Sequence, residues 1–302
     1  MAKKILITGA RGFTGQHACQ HFFSRGYCVI PSAREKQIED SSNYVYCDLT
    51  NLADVEKMIM ETKPDFILHL AGKNHAGESW QIPLVYMDGN VMGTVNILEA
   101  SRKYNPDTKI LVAGSMLETS LTETQPNHPY GLSKSIQSTV ALAWYYLYEL
   151  SVSVVRPPNL IGPGNSTGVC SLFAKKIVES EETIEQTLTL MVNNSGVKRA
   201  FLDVRDAVSI YADLLENDQF GKIYELDGLQ TYTLLEIVNQ LESLSSCTIE
   251  KELLVVNEPH KKPTEDKKQL VLGAKTVSVP CIQNYRLEQS LSDILDYYRK
   301  AI

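Results

Sequence analysis

The apolar run Ile5-Leu6-Ile7 passes directly into a turn holding Gly9, Gly12 and Gly15, and from there into the helix-like stretch HACQHFFSRGY. A strand before and a helix after is the setting in which closely spaced glycines take on a task. They let the chain turn sharply, and they let a pyrophosphate approach backbone N–H groups at a helix N-terminus, where the helix dipole favours negative charge. The rhythm then repeats along the chain. KKILIT, YCVIPSA, NYVYCDL, DFILHLAG, TKILVAGS and SVSVVRP read as strands, and 13–25, 51–62, 84–104 and 131–149 as helices. Continuous Ile/Leu/Val runs suit parallel strands covered on both faces, joined by right-handed crossovers. The chain is therefore predicted to be α/β, with a doubly wound parallel sheet over residues 1–156. After Arg156 the rhythm breaks into RPPNLIGPGNSTG, and mixed elements run to a helix near 286–300. This second lobe, 157–302, is predicted to be smaller and mixed α/β, with an interleaved boundary.

The 302 residues are 43% hydrophobic and 22% charged, close to globular averages, which excludes a fibrous or largely disordered chain. No run approaches the roughly 18–20 apolar residues of a membrane span. The apolar stretch in MAKKILITGARG is too short for a signal h-region, so the expected location is cytoplasmic. A net charge of −7 without a long basic tract argues against a nucleic-acid partner. The six cysteines are scattered, with no CxxC pair, and predict reduced thiols and no metal centre. KKPTEDKK at 261–268 reads as a solvated loop.

Tyr130 and Lys134 stand four apart at the start of a helix, so one turn brings them onto one face. A phenol is a poor acid or base at neutral pH, but a nearby ammonium stabilises phenolate and lets the pair exchange a proton with a hydroxyl or carbonyl. Ser115 ends a predicted strand fifteen positions earlier (130 − 115), where its hydroxyl can share charge developing on the same oxygen.

With these residues in view, the chain resembles the extended short-chain dehydrogenase/reductase family acting on nucleotide sugars. The resemblance rests on TGARGFTG, CDLT at 47–50, HLAG at 69–72, NVMGTVNILEA at 90–100, Ser115, YGLSK at 130–134, RPPNLIGPG at 156–164 and RAFLDVRD at 199–206. It implies a Rossmann-type fold binding a nicotinamide dinucleotide. By position, Gly9, Gly12 and Gly15 resemble the pyrophosphate loop, Arg11 and Phe13 within it are further cofactor-binding positions, Asp48 and Leu49 resemble the pair meeting the adenine, and Ala71 and Gly72 the wall beside the nicotinamide. Ser115, Tyr130 and Lys134 match the catalytic triad, Lys134 also bonding the nicotinamide ribose, while Asn90 supports the site from behind. Asn159 and Arg199 match contacts to the substrate diphosphate, and His75 and Ser79 fall where the family lines its sugar pocket. Asp206 is expected to cap a helix starting near Ala207.

Three departures shape the functional expectation. The Ser115-to-Tyr130 stretch is shorter than the family's usual length. The family's 4,6-dehydratases carry an acid and a base directly after the catalytic Ser/Thr, whereas Met116 and Leu117 stand here and Glu118 lies one place further on. At the end of the second strand, Ser32, Ala33 and Arg34 replace the acid that would hold an NAD ribose, and Arg34 with Arg11 favours NADP(H) over NAD(H). The resemblance implies hydride reduction of an NDP-4-keto-6-deoxyhexose at C4, most like the GDP-4-keto-6-deoxymannose reductase branch. A 4-epimerase or 4,6-dehydratase holding NAD is the alternative, and a non-catalytic dinucleotide sensor a remote one. On this reading the substrate is a UDP-, GDP- or dTDP-linked sugar, the base being left open by the sequence. The helices near 84–104 and 131–149, with the apolar ALAWYYLYEL, imply a homodimer.

Overall fold

The computed structural model describes residues 2–37, 43–119, 126–183, 187–193, 196–227, 229–254 and 275–301. KKPTEDKK and part of the Ser115-to-Tyr130 stretch lie outside these residues. Unbroken apolar side chains make Lys4–Thr8 a strand buried on both faces, β1. It is followed by α1 (Phe13–Ser24), β2 (Cys28–Ala33), β3 (Val45–Tyr46), α2 (Leu52–Thr62), β4 (Phe66–His69), α3 (Ala76–Ser79), α4 (Pro83–Tyr86), α5 (Gly93–Tyr104), β5 (Lys109–Ala113), α6 (Pro129–Tyr148) and β6 (Val152–Arg156). The chain continues through β7 (Asn159–Ile161), α7 (Val169–Glu181), β8 (Thr187–Asn193), β9 (Arg199–Asp203), α8 (Val204–Glu216), β10 (Lys222–Asp227), β11 (Thr231–Tyr232), α9 (Leu234–Ser243), β12 (Thr248–Leu254), β13 (Lys275–Pro280) and α10 (Leu287–Arg299).

The eight-stranded sheet has the order β3-β2-β1-β4-β5-β6-β10-β13, and β1 pairs in parallel with both β2 and β4. This is a Rossmann-type α/β sheet. The chain moves outward from β1 to β3 and then returns to β4 on the other side, so the strand order reverses between β1 and β4, where ligands of such sheets bind beyond the carboxyl ends. Helices α2, α5 and α6 cover the sheet through Val55, Met58, Ile59, Ile97, Leu98, Ala141 and Leu142, which pack on Leu6, Ile67, Ile110, Val112, Val152 and Val154.

The chain divides into two units. The first takes residues up to Pro157, recovers Val208–Leu226, and adds the strand residues at 275–279. β10, although it lies beyond Arg156, therefore belongs to the first unit's sheet. The second unit is built on Pro158–Ala207 and holds two small sheets, β11-β9-β7 and β12-β8. Its own core joins Phe173, Ala174 and Ile177 of α7 to Leu190 and Val192 of β8, Ile237 and Leu241 of α9, and Leu291, Ile294 and Leu295 of α10.

Two local expectations are corrected. NYVYCDL yields only the two-residue β3, at the edge of the sheet. α8 starts at Val204 rather than near Ala207, so Asp206 sits inside its first turn. Asp206 accepts from Asn284 Nδ2 (2.9 Å) and Tyr285 N (3.1 Å), and it is Asp203 that accepts from Arg205 N (2.9 Å).

Candidate active site

Gly9 follows β1 with φ of +68°, a conformation that L side chains rarely adopt, and a Cβ there would stand 2.9 Å from the backbone of Ala71. Gly15, on the first turn of α1, packs so closely that a Cβ would meet Gly9 O and lie 2.7 Å from Ala10 Cα. Both glycines thus hold the loop after β1 tight against its neighbours. Gly12 is the N-cap of α1; it offers no side-chain cap, and the first turn, which starts at Phe13, carries no acid. The positive end of that helix is left to an external anion. A cavity of about 350 Å³ is lined by Gly9, Arg11, Gly12, Ala33, Arg34, Glu35 and Gln37. A helix N-terminus without a capping side chain, a glycine floor and two guanidinium groups fit a dinucleotide.

The predicted cofactor residues of this region are also bonded among themselves. Arg34 reaches Asp48 Oδ2 through Nη2 (2.9 Å) and Nε (3.3 Å), while Asp48 Oδ1 accepts from Thr50 N (3.0 Å) and Oγ1 (2.8 Å). Burial alone would raise the Asp48 carboxyl, but the bonds from Thr50 and Arg34 outweigh it and hold it low. Arg11 donates to Glu35 O and lies over the rings of Tyr44 and Tyr46, at 5.0 and 5.9 Å. Leu49 packs against the first core, and its carbonyl accepts from Asn96 Nδ2 (2.8 Å).

His128 and Pro129 begin α6. The His128 ring caps it by accepting from Gly131 N (2.7 Å), and Pro129 presets the first-turn φ. One helical turn then separates Tyr130 from Lys134, both buried. The Tyr130 ring is held edge-on by Tyr86 (6.2 Å) and stacked by His128 (5.8 Å). Burial pushes the Tyr130 phenol up, and hydrogen bonding from Ser115 opposes the shift. Lys134 is pushed down to about 8 by burial, against the attraction of Glu118. Its Nζ donates to Ala113 O (2.9 Å) and Gln137 Oε1 (2.8 Å). Ser115 Oγ accepts from Leu117 N (3.0 Å), which leaves its own proton to donate outward. The structure thus brings Ser115, Tyr130 and Lys134 together. This arrangement can deliver one proton to an oxygen and stabilise the phenolate left behind.

Asn90 lies on a π-helical turn, Met87–Met92, between α4 and α5, and is wholly buried. It accepts from Lys73 N (2.7 Å) and donates to Ser133 Oγ (2.9 Å), tying the segment after β4 to α6. Its Oδ1 occupies the space that a side chain on Gly72 would need. Ala71 N donates to Thr8 Oγ1 (3.2 Å). Met116 and Leu117 are both about half exposed. Glu118 is different: its carboxylate is buried and accepts from Ser115 N (3.0 Å), Ser138 Oγ (2.8 Å), and Arg156 through Nε (2.8 Å) and Nη2 (2.7 Å). Four donors leave it no role as a proton donor. Sequence reasoning noticed Glu118 but not this bonding; the pairing partner lies 38 residues away on β6. Tyr86, His128 and Gln137 were not anticipated either, although His-Pro before Tyr130 is a helix-start signal.

Of the predicted sugar-pocket residues, His75 caps α3 by accepting from Glu78 N (2.9 Å), and its carbonyl accepts from Tyr86 Oη (2.7 Å). Ser79 is fully buried and donates to Ala76 O, so its hydroxyl is engaged within its own helix. Asn159 and Arg199 belong to the second unit, on the neighbouring strands β7 and β9, where Asn159 Nδ2 donates to Ala200 O (3.0 Å) and Arg199 Nη1 to Val197 O (3.3 Å). Among the described residues no group of His, Cys, Asp and Glu could hold a metal ion, and no helix is long and apolar enough to cross a membrane.

A parallel sheet reversing at β1/β4, with a glycine turn at one strand end and a Ser-Tyr-Lys set beyond another, defines an enzyme of the extended short-chain dehydrogenase/reductase type. The chain belongs to the NAD dependent epimerase/dehydratase family, which matches residues 5–226. It is 26% identical over 262 residues to the GDP-6-deoxy-D-mannose reductase of Pseudomonas aeruginosa, covering 83% of each chain. The structure of RMD from Pseudomonas aeruginosa complexed with NADPH superimposes with a TM-score of 0.77 at 23% identity, covering 100% of this chain and 99% of that one. The Thermus thermophilus UDP-glucose 4-epimerase in complex with NAD gives 0.77 at 20% identity, covering 99% and 100%. The protein is therefore an NAD(P)-dependent enzyme among nucleotide-sugar reductases, epimerases and dehydratases.

Proposed function

We propose that the protein is a nucleotide-sugar 4-reductase that converts an NDP-4-keto-6-deoxyhexose to the 4-hydroxy sugar. The carrying observation is the proton inventory beyond β5. Ser115, Tyr130 and Lys134 form one buried donor set, followed by Met116 and Leu117, which transfer no protons, and by Glu118, whose oxygens already accept four bonds. Reduction of a ketone needs one proton at one oxygen, whereas 4,6-elimination needs a second acid–base pair.

Bound NADPH supplies the hydride. Tyr130, kept protonated by burial, gives its proton to the C4 oxygen, Ser115 donates a hydrogen bond to the same oxygen, and the Lys134 ammonium stabilises the resulting phenolate until solvent reprotonates it. Gly9, Gly12 and Gly15 hold the pyrophosphate, Phe13 borders the same cofactor, Asp48 and Leu49 flank the adenine, and Ala71 and Gly72 the nicotinamide. Arg34 and Arg11, which line the cavity, favour the 2′-phosphate of NADP(H). Asn159 and Arg199 contact the substrate diphosphate, and His75 and Ser79 border the sugar. The reading is supported by similarity to the GDP-6-deoxy-D-mannose reductase.

A second reading, a 4-epimerase retaining NAD, is favoured by one observation: Arg34 is paired with Asp48, which offsets the charge that a 2′-phosphate would meet. Mass spectrometry of the dinucleotide released on denaturing the fresh protein separates the two. Retained NAD supports the epimerase. NADP, or an empty site binding NADPH more tightly than NADH, supports the reductase, and turnover of GDP-4-keto-6-deoxymannose with NADPH oxidation then tests the substrate class.

A further inference from the structure

A chain of buried side chains runs behind the site and takes no part in the proton transfer above. His69, at the end of β4, lies with Nδ1 2.7 Å from Thr8 Oγ1 and Nε2 2.9 Å from Thr94 Oγ1. Thr94, on α5, is also 2.8 Å from Gln137 Nε2, and Gln137 Oε1 is 2.8 Å from Lys134 Nζ. His69, Thr94 and Gln137 are wholly or almost wholly buried, so every polar atom in the chain needs a partner within it.

That requirement fixes the direction of each bond. The main-chain oxygen of Asn90 can only accept, so Thr94 Oγ1 donates to it (2.7 Å). With its single proton used, Thr94 Oγ1 accepts from both remaining partners. His69 therefore carries its proton on Nε2, and its Nδ1 accepts from Thr8, whose oxygen accepts from Ala71 N. The Gln137 amide is fixed by the same logic. Turning it over would set its NH2 against the Lys134 ammonium, donor against donor.

We infer that Gln137 is a positioning residue for Lys134, its carbonyl oxygen aimed because its NH2 is committed to Thr94, the acceptor on which two runs of hydrogen bonds converge: one from Ala71 through Thr8 and His69, the other from Lys134 through Gln137. The chain links the loop after β4 to the lysine on α6, so the two walls beside the proposed nicotinamide position share one hydrogen-bonded frame. Two of the lysine's three N–H groups are thereby directed to Ala113 O and Gln137, and the third is aimed by default. This rests on Lys134 serving the site, but not on which sugar the site takes.

Among the described residues, the charged and titratable groups that act on Lys134 are Glu118 from the loop after β5 and His69 from β4, and Tyr130 stands one turn away on its own helix. His69 is pushed down to about 3 by burial and then by Lys134, and is neutral throughout the working range. Gln137 is thus the neutral group whose replacement changes the lysine's local field without touching Glu118.

The test uses the full chain, without any sugar nucleotide, labelled with 13C at the lysine ε-carbon, the Lys134 signal being assigned with Lys134→Arg. The expected midpoint for Lys134 is near 8 in the wild type. Gln137→Leu, which removes the acceptor, moves it down, and Gln137→Glu, which supplies a carboxylate, moves it up by about one pH unit or more. A merely structural role would lower the stability of both variants without splitting the titrations in opposite directions. In the same wild-type sample the His69 ring shows a protonated Nε2 and a bare Nδ1 from pH 5 to 8 in 15N spectra. Titrations that stay put or move the same way, or a protonated Nδ1, overturn the inference. Should Gln137→Leu not fold, the Gln137→Glu titration and the wild-type imidazole spectrum decide it, an unmoved midpoint or a protonated Nδ1 counting against it. Neither measurement involves substrate, so its failure leaves the reductase reading standing, and the converse holds.

Discussion

At the scale of single residues, the site's chemistry depends on keeping Tyr130 protonated and Lys134 charged at the same pH. Tyr130→Phe removes the donor but keeps the ring between Tyr86 and His128, so kcat for ketone reduction is expected to fall by about 10²–10⁴ with the fold intact. Measuring kcat alongside a melting curve checks both halves, and near-normal turnover would remove Tyr130 from the chemistry. The pH dependence follows from Lys134. Burial lowers it to about 8, so its ammonium is present below that value and lost as pH rises through it. kcat/KM for reduction is expected to hold on the neutral side and decline above about pH 8, each further unit costing about tenfold once the lysine is mostly neutral. A profile that stays flat to pH 9.5 would show that the charge is not required.

At the scale of elements, the loop leaving β5 is held by a buried ion pair rather than by its own sequence. Glu118 and Arg156 have side chains only 2% and 5% exposed, and Arg156 also reaches Glu225 (2.9 Å) on β10. Glu118→Ala leaves a buried guanidinium with one partner fewer and releases the N–H of Ser115, at an expected cost of about 3 kcal/mol in denaturant unfolding. A loss under about 1 kcal/mol would mean that Glu225 and solvent compensate. The elements also explain what the sequence could reveal. Gly9, Ser115, Tyr130 and Lys134 were legible because each sits at a strand end or helix start, and local spacing predicts such positions. The partners of Glu118, the burial of Ser79 and the Gln137–Thr94 bond were not, because they arise where segments far apart in the chain pack together. A Pro/Gly break after Arg156 with an interleaved boundary is the sequence expectation, but which later segment rejoins the first unit, Val208–Leu226, is not legible, since nothing in KIYELD distinguishes a strand of one sheet from that of another.

At the scale of the whole molecule, two properties follow from what is buried and what is not. His69 binds a proton at about 6.5 in the unfolded chain and at about 3 in the folded one, so the unfolded state takes up the extra proton and stability falls as pH drops from about 6.5 to 3, by up to about 1.4 kcal/mol per pH unit. His69→Gln, which cannot charge, is expected to show a shallower acid slope in urea unfolding at pH 7, 5 and 4, and equal slopes would refute the assignment. The other property concerns surface. Leu84 is 76% exposed and Leu147 68%, with Val85, Met92, Tyr146 and Tyr148 also exposed on α4, the π-helical turn and the end of α6. Tyr86 of α4 meets Tyr130 at the start of α6, whereas Tyr146, Leu147 and Tyr148 stand at its far end, so the first unit shows apolar side chains to water near both ends of that helix. A monomer gains nothing by showing such a surface to water, whereas a two-fold pairing of the same helices covers it with its own copy. The protein is accordingly expected to sediment as a homodimer at micromolar concentration. Leu147→Glu places a carboxylate in that face without touching Tyr130 or Lys134, and should shift the mass towards monomer while leaving the melting transition cooperative. A monomeric wild type would end the proposal, and a dimer indifferent to Leu147→Glu would move the interface to another face.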